Sequence, residues 1–413
     1  MLNLTWKKAI LVLALAAQAL PPVRAYYFDA GMRWQYILLF SFLVAYLASP
    51  LCAALARRLN VMDRPDLRKI HHRATPLFGG VAVFAALNVA LLMNGVLLPG
   101  MGVLMAAGAV IFVTGLVDDV CGLSPRTRLF IQLGVSLFVV GWGGLALTVA
   151  VGGPWTLWIN VPLTLLWLVG LTNAMNFFDG IDGLAAGLSI ITSLFLGILA
   201  FKTNQPALGW LAVAIAGSCL GFMPYNFLLG RSAALFLGDA GSTYLGFMLA
   251  GLAVLGEWSA TSHFVSLTAP VLIFGVLIFD MVYITLSRIK NRRVRNVFGP
   301  LATPGRDHLH HRLLFMGFAR KEAAFAIFTI AVCLGVSALI IIDGQPEDAV
   351  LGLLQAGLIL AVIVALMWKG RDVPGARRPR AAPPQYDLWH TPLRPLDVDA
   401  SAREARAACE RTH

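Results

Sequence analysis

The chain has 413 residues, of which 58% are hydrophobic and 13% are charged, and its formal net charge is +11. Soluble domains carry roughly 25% charged residues, so this composition excludes a soluble enzyme and indicates an integral membrane protein. The cysteines show no metal-ligand spacing and are interpreted as packing residues; they are Cys52, Cys121, Cys219, Cys333 and Cys409.

The first 30 residues have the pattern of a signal peptide. Lys7 and Lys8 precede a short apolar stretch at 9–20, which ends at Pro21 and Pro22. This pattern predicts either a leader that is cleaved or an additional N-terminal anchor.

Residues 31–368 contain a series of apolar runs, most of them about as long as the roughly 17–25 residues that cross a bilayer as a helix. The runs lie at 35–56, 76–98, 102–117, 128–149, 156–172, 184–200, 207–223, 241–257, 266–287, 322–342 and 349–368. The sequence therefore predicts an all-α fold, a polytopic membrane helix bundle of about 11 transmembrane helices. Residues 369–413 form a basic, proline-rich tail that we expect to be disordered.

Positive charge is concentrated in alternate gaps between the runs, chiefly at 57–73, 288–321 and 369–411. Lysine and arginine accumulate on the cytoplasmic side of membrane proteins, so the first main helix starts outside and the C-terminus is cytoplasmic. Topology and attraction to anionic lipid explain this charge, and we expect no nucleic-acid partner.

Five carboxylates fall in the loops of that same cytoplasmic side. Asp118 and Asp119 follow the third run, Asp179 and Asp182 precede the sixth, and Asp239 precedes the eighth. Converging acids need a cation, and magnesium usually takes one or two carboxylates together with substrate phosphates. We therefore predict a Mg²⁺ site for a diphosphate, with Mn²⁺ as the alternative ion. Helix-boundary anchoring is the alternative for any single aspartate.

Glycines flank these acids, and residues 238–242 come just before a helix, where free N–H groups suit a phosphate. Phe236 either stacks on a nucleobase or packs in the core. Asp280 lies within the ninth run, and two interpretations stay open: a buried partner of a basic residue, or part of a cavity.

Histidine and arginine side chains gather in "GRDHLHHR", where His308, His310 and His311 lie beside Arg306 and Arg312. Zinc is the less favoured interpretation because no cysteine accompanies them, whereas contact with phosphates suits imidazole and guanidinium groups. Further cations stand in the first cytoplasmic loop, namely Arg68, Lys69, His71, His72 and Arg73. Acids for a metal together with bases for phosphates are typical of phosphoryl transfer.

Five segments in chain order also resemble a known family. They are "DRPDLRKIHHRATPLFGG", "GLVDDVCGLSPRTRL", "NAMNFFDGIDGLAAG", "FLGDAGS" and "RDHLHHRLL". The set is similar to the polyprenyl-phosphate N-acetylhexosamine-1-phosphate transferases, membrane enzymes that start O-antigen, enterobacterial common antigen or teichoic acid lipid carriers. The His-x-His-His form resembles the N-acetylglucosamine branch. Two features depart from the family pattern: 232–234 reads Ser-Ala-Ala before Phe236, and the stretch 288–306 is long.

The resemblance and the charge pattern together imply roles for these residues. The expected catalytic residues are Asp118, Asp119 and Asp179. The expected metal ligands are Asp239, Asp118 and Asp119. The expected substrate-binding residues are Asn173, Asn176, Asp182, Phe236, Lys69, His71, Arg306, His308, His310 and His311.

The resemblance implies a reaction in the bacterial inner membrane, with the active site facing the cytoplasm. N-acetylglucosamine 1-phosphate would pass from a UDP-sugar to undecaprenyl phosphate and release UMP, initiating a surface glycan such as O-antigen. Another UDP-N-acetylhexosamine is the alternative donor. A transporter of lipid-linked sugars and a non-catalytic scaffold are the remote alternatives, and a homodimer is left open.

Overall fold

The computed structural model describes residues 6–63, 74–96, 100–228, 232–259, 262–290 and 308–369. The N-terminal helices are α1 (Trp6–Ala19), α2 (Pro21–Asp29), α3 (Arg33–Arg58), α4 (Gly79–Met93), α5 (Met101–Cys121), α6 (Pro125–Gly141) and, after a 3₁₀ turn at Pro154–Thr156, α7 (Leu157–Phe178). The following helices are α8 (Leu184–Lys202), α9 (Pro206–Asn226), α10 (Gly238–Leu255), α11 (His263–Ile273), α12 (Gly275–Lys290), α13 (Leu309–Phe315), α14 (Arg320–Ile341) and α15 (Pro346–Lys369). Two short antiparallel strands, β1 (Met62–Asp63) and β2 (Thr75–Pro76), pair Met62 with Pro76.

Eight helices are long and apolar enough to cross a membrane: α3, α5, α7 with its 3₁₀ turn, α8, α9, α10, α14 and α15. Two helix pairs are bent, α1–α2 by 72° and α11–α12 by 76°, and they raise the number to 10 if each pair is one span. The described residues thus confirm the all-α membrane fold but not the predicted count of about 11.

The difference in count comes from α4 and α6, which have 15 and 17 residues. The apolar run at 128–149 looks continuous in the sequence, but α6 ends at Gly141. Gly144 then adopts a positive φ of 64°, a conformation that glycine takes without steric penalty and that a helix does not contain. Hydropathy alone does not detect such an ending.

The centre of the bundle is α10, of whose span 83% is buried, whereas only 17% of the α15 span is buried. Small residues permit close approach between helices in a membrane. On α9, Gly217 and Gly221 face the backbone of α3, and a Cβ at either position would collide with it. This packing holds α9 close against α3.

The N-terminal helices α1 and α2 lie against α3 and α4. The Tyr36 hydroxyl donates to the Gln18 carbonyl at 2.5 Å, and Arg24 Nη1 donates to the Met93 carbonyl at 2.8 Å. The Arg33 guanidinium lies 3.7 Å from the ring centroid of Trp210. The described part of the leader therefore has tertiary contacts, and its cleavage or retention stays a prediction.

The segments that precede α4 and α10 run side by side. Phe236 N–H donates to the Pro76 carbonyl at 2.9 Å, and the N–H groups of Gly79 and Gly80 donate to the carbonyls of Phe236 and Leu237. A Cβ on Gly80 would lie 2.6 Å from the Cα of Gly241, so this close approach requires glycine. These bonds hold the start of α10 against the start of α4.

Candidate active site

A cavity of about 730 Å³ opens where α5 and α7 end and α10 begins. It is lined by Met62, Asp63, Leu77, Asp118, Asp119, Gly122, Asp179, Gly180, Ile181, Asp182, Asn226, Phe236, Gly238, Asp239, His311 and Arg320. The structure thus brings all five aspartates of the three predicted motifs onto one cavity.

Asp118 and Asp239 share one cation, Arg128 of α6. Arg128 Nη1 lies 2.6 Å from Asp118 Oδ2 and 2.9 Å from Asp239 Oδ2. The other oxygen of Asp118 accepts from the Leu123 N–H, and that of Asp239 accepts from Asn176 Nδ2 at 2.8 Å. The guanidinium therefore offsets the repulsion between the two carboxylates and fixes them beside each other.

Asp119 has different partners, because both of its oxygens accept backbone N–H groups at the start of α10. The N–H of Asp239 donates to Oδ1 at 2.8 Å and the N–H of Ala240 donates to Oδ2 at 3.0 Å. A helix start leaves such N–H groups without intrahelical partners, and a carboxylate there is favoured by the helix dipole. Asp119 thus holds the first turn of α10, and with it Asp239, against α5.

Asp179 lies at the C-terminal end of α7, between the spans. Loss of solvent raises the pKa of this carboxyl group well above its ordinary range, and the neighbouring Asp239, Asp119 and Asp182 raise it further. The Gly238 N–H has the opposite, smaller effect on that pKa. The surroundings of Asp179 therefore oppose its negative charge.

Asp182 and the asparagines connect the cluster to its supporting loops. Asp182 Oδ2 accepts from the Ala233 N–H at 2.9 Å, which joins the α7–α8 turn to the segment before α10. Asn176 Nδ2 donates to both Asp239 and Ser242. Asn173 Nδ2 donates to Gln132 Oε1 at 2.6 Å. Asn176 therefore supports Asp239 and Asn173 ties α7 to α6, and neither of these predicted substrate-binding residues lines the cavity.

The three histidines occupy three different environments. His308 is 4% exposed and its Nδ1 lies 2.7 Å from Asp280 Oδ2. His310 is fully buried against Gly180, and a Cβ added to Gly180 would lie 2.6 Å from His310 Nε2. Among the residues that the structure describes, neither ring nitrogen of His310 has a hydrogen-bond partner. Burial lowers the pKa of His310 well below its ordinary range, and His311 and His308 lower it further, so the ring is neutral. Of the three, His311 alone lines the cavity.

Two cations, Arg128 and Arg320, lie near the acids. From the sequence, their positive charge indicates only the orientation of the chain in the membrane. Arg128 belongs to the quoted "SPRTRL" segment, and Arg320 opens α14 and lines the cavity. The signal that identifies Arg128 is its place within the acidic motif, one α-helical turn after Ser124, whose side chain caps α6. Asp280, left open between two interpretations, is the partner of His308.

Three of the predicted substrate-binding residues, Lys69, His71 and Arg306, lie outside the described residues. Phe236 lines the cavity beside Gly238. Within the described ranges, no three His, Cys, Asp or Glu side chains are grouped as a complete set of metal ligands.

Comparison with known proteins agrees with this geometry. The family model described as "Glycosyl transferase family 4" matches residues 101–257, which include Asp118, Asp179 and Asp239. A decaprenyl-phosphate N-acetylglucosaminephosphotransferase from Mycolicibacterium smegmatis is 30% identical over 371 residues, covering 82% of this chain and 89% of the relative. The chain belongs to glycosyl transferase family 4. This confirms the resemblance to the polyprenyl-phosphate N-acetylhexosamine-1-phosphate transferases drawn from the five motifs.

Other members of family 4 are similar over most of their length. A "Probable undecaprenyl-phosphate N-acetylglucosaminyl 1-phosphate transferase" from Bacillus subtilis is 33% identical over 73% of this chain and 83% of the relative. An undecaprenyl-phosphate alpha-N-acetylglucosaminyl 1-phosphate transferase from Yersinia pestis is 30% identical over 81% of this chain and 91% of the relative. In this family 4 chain the matched region contains the five aspartates of the three motifs, and α13 and α14 add His311 and Arg320 to the cavity.

Proposed function

We propose that the chain transfers N-acetylglucosamine 1-phosphate from UDP-N-acetylglucosamine to undecaprenyl phosphate, releasing UMP. The observation that carries the proposal is the cavity on which the five aspartates of the three motifs, together with Asp63, meet His311 and Arg320. Such a set provides oxygen ligands for a divalent cation and positive groups for a diphosphate. The names of the relatives favour N-acetylglucosamine over other N-acetylhexosamines. The product would initiate a cell-surface glycan such as O-antigen.

The donor set of the cavity fits Mg²⁺, with Mn²⁺ as the alternative, because magnesium usually takes one or two carboxylates along with phosphate and water oxygens. Asp239 and Asp118 would hold the ion, and Asp119, predicted as a third ligand, would support Asp239 through the start of α10. When bound, the ion would neutralise charge on the diphosphate.

The reaction is a displacement at phosphorus. An oxygen of the lipid phosphate forms a bond to the β-phosphorus of the UDP-sugar, and the bond from that phosphorus to the bridging oxygen breaks, so that UMP leaves. A phosphate monoester has a second pKa of about 6 and is mostly ionised near neutral pH, so orientation of the acceptor matters more than proton removal. Asp118 would orient the acceptor, and His311 and Arg320 would bind the donor phosphates.

A second, apolar cavity supports a long-chain acceptor. It has a volume of about 1240 Å³ and lies between α7, α11 and α12, where Leu166, Trp167, Val271, Met281 and Leu286 line it. Leu166 and Leu286 are also more than half exposed on the outside of the bundle. An undecaprenyl tail would enter from the bilayer and lie along these side chains.

The orientation belongs to the same proposal. We place the acidic cavity on the cytoplasmic side of the bacterial inner membrane, where the UDP-sugar is dissolved. The support is the concentration of Lys and Arg at 57–73, 288–321 and 369–411, next to the loops that contain the acids.

Purified protein in detergent, with undecaprenyl phosphate and a panel of UDP-sugars, tests the reaction with magnesium and with EDTA. We expect UMP release and recovery of sugar phosphate in the organic phase with UDP-N-acetylglucosamine and magnesium, and reversal by excess UMP. Transfer from a different UDP-N-acetylhexosamine would retain the reaction and replace the donor. Absence of turnover from folded protein with every donor would contradict the proposal and favour a transporter or a scaffold.

A further inference from the structure

Asp280 is a buried acid of α12 that lies outside the acidic cavity. It is 1% exposed, and both of its oxygens are occupied. Oδ2 lies 2.7 Å from His308 Nδ1, and Oδ1 accepts the Leu309 N–H at 2.7 Å. A buried carboxylate with two such partners is costly to disturb, because removing it leaves two buried donors unpaired.

These two bonds lie at the start of α13, which has seven residues and cannot be stable by itself. His308 is the residue immediately before α13, and the Leu309 N–H is one of the groups that a helix start leaves without an intrahelical partner. Asp280 therefore fixes both the backbone and the first side chain of this short helix. A further hydrogen bond joins α12 and α13 one turn beyond the two bonds of Asp280, where Arg312 Nη1 donates to the Tyr283 hydroxyl at 2.9 Å.

The position of α13 decides which histidine reaches the cavity. His310 packs beneath Gly180, and the His311 ring lies 4.2 Å from the His310 ring and lines the cavity. Successive residues of a helix lie about 100° apart, so a rotation of α13 about its axis by that angle would take His311 out of the cavity. Asp280 prevents that rotation because it holds the N-terminus of α13 at two points.

We propose that Asp280 is a positioning residue for the transfer reaction: it orients His308 and the start of α13 so that His311 faces the donor phosphates. The bond to Nδ1 also defines which ring nitrogen of His308 carries a proton toward the acid. This inference rests on the proposed function, but its structural part does not depend on the identity of the donor.

Two substitutions separate the two bonds. Asp280→Asn keeps one acceptor oxygen for the Leu309 N–H and loses the charged partner of His308, whereas Asp280→Ala loses both. Partners that orient a functional histidine typically contribute about 10-fold to 100-fold in activity. We expect Asp280→Asn to lower kcat/KM for the UDP-sugar by about that factor, and Asp280→Ala to lower it further. The KM for undecaprenyl phosphate should not change.

Tyr283→Phe is the matched control, since it removes one hydrogen bond between the same two helices but leaves His308 bound. We expect it to have a smaller effect than Asp280→Asn. In addition, the double variant Asp280→Asn/His308→Asn should be no less active than His308→Asn alone, because Asp280 acts through His308. Multiplicative losses in that double variant would contradict the proposal.

Hydrogen exchange measured by mass spectrometry tests the positioning without any turnover. The peptide that contains Leu309 should exchange faster in Asp280→Ala than in the wild type or in Tyr283→Phe, while peptides from α10 stay unchanged. Equal exchange in all three proteins would overturn the proposal. If the variants differ in exchange as expected but the wild type transfers from no donor, the proposed function fails and the positioning role of Asp280 stands.

Discussion

Asp119 and Asp179 line the same cavity, but different groups lie next to their oxygens. Asp119 accepts two backbone N–H groups at the start of α10, which stabilise its negative charge there. Asp179 is surrounded by other carboxylates, and its pKa is raised well above the ordinary range. Substitutions at the two positions should therefore change stability in opposite directions.

Asp119→Ala leaves the N–H groups of Asp239 and Ala240 without their acceptor. Each hydrogen bond to a charged group contributes about 1.5–3 kcal/mol, so we expect a lower unfolding temperature together with loss of transfer. Thermal unfolding of the purified protein in detergent measures the first effect. An unchanged unfolding temperature would show that α10 does not depend on Asp119.

Asp179→Asn replaces a carboxyl group whose ionisation the cluster opposes and preserves the shape of the side chain. We expect the unfolding temperature in EDTA to rise while transfer is lost, a common trade-off at functional sites. Comparison of unfolding curves in EDTA for the wild type and the variant provides the measurement. Near-normal turnover would remove Asp179 from the catalytic set.

Arg128→Ala deprives Asp118 and Asp239 of their shared cation. Loss of one preorganised charged donor costs roughly 100-fold or more in turnover, and we expect a loss of that order. We also expect magnesium to raise the unfolding temperature of the variant more than that of the wild type, because the ion replaces the lost counter-charge. Arg126→Ala, an exposed arginine of the same helix start, is the control, and equal effects at the two arginines would contradict this account.

At the scale of elements, the site depends on two segments that meet without side chains between them. The segments before α4 and α10 exchange backbone hydrogen bonds, and Gly80 lies against Gly241. The sequence marks both glycines as neighbours of functional motifs, but their mutual contact requires the packing of two helices far apart in the chain.

Gly80→Ala should push α4 away from α10, because its Cβ would lie 2.6 Å from Gly241 Cα and that backbone cannot move alone. We expect a lower yield of folded protein and a lower unfolding temperature. Gly134→Ala in α6 is the control, because nothing lies within 4 Å of that Cβ, and alanine favours a helix over glycine by about 1 kcal/mol. Equal stability of the two variants would show that the Gly80 contact is dispensable.

At the scale of the whole molecule, the proposed orientation places Cys121 on the cytoplasmic side and the α6–α7 connection outside. Both Cys121 and Val151 are exposed. In a Cys409→Ser background, a membrane-impermeant maleimide should label Val151→Cys in spheroplasts, whose inner membrane is intact, and should label Cys121 only after permeabilisation. The reverse pattern would invert the topology and place the acidic cavity away from the UDP-sugar pool.

Much of this architecture could be predicted from the sequence, because long apolar runs must be helical in a bilayer and charges must lie at their ends. The gathering of Asp118, Asp179 and Asp239 at one end of the bundle follows from that rule. The hydrogen-bond partners of each acid do not follow from that rule, because Arg128 and Asp239 are 111 residues apart in the chain and meet only through the packing of α6 against its neighbours. For the same reason, the separate environments of His308, His310 and His311 could not be read from their spacing.

The direction of the helices at the cavity has an electrical consequence. α10 begins there and presents the positive end of its dipole, whereas α5 and α7 end there and present negative ends. The backbone therefore adds negative potential on the side of Asp118 and Asp179 and positive potential on the side of Asp239. A diphosphate in the cavity would be attracted toward the start of α10 and away from the ends of α5 and α7, so the fold itself gives the donor a preferred position.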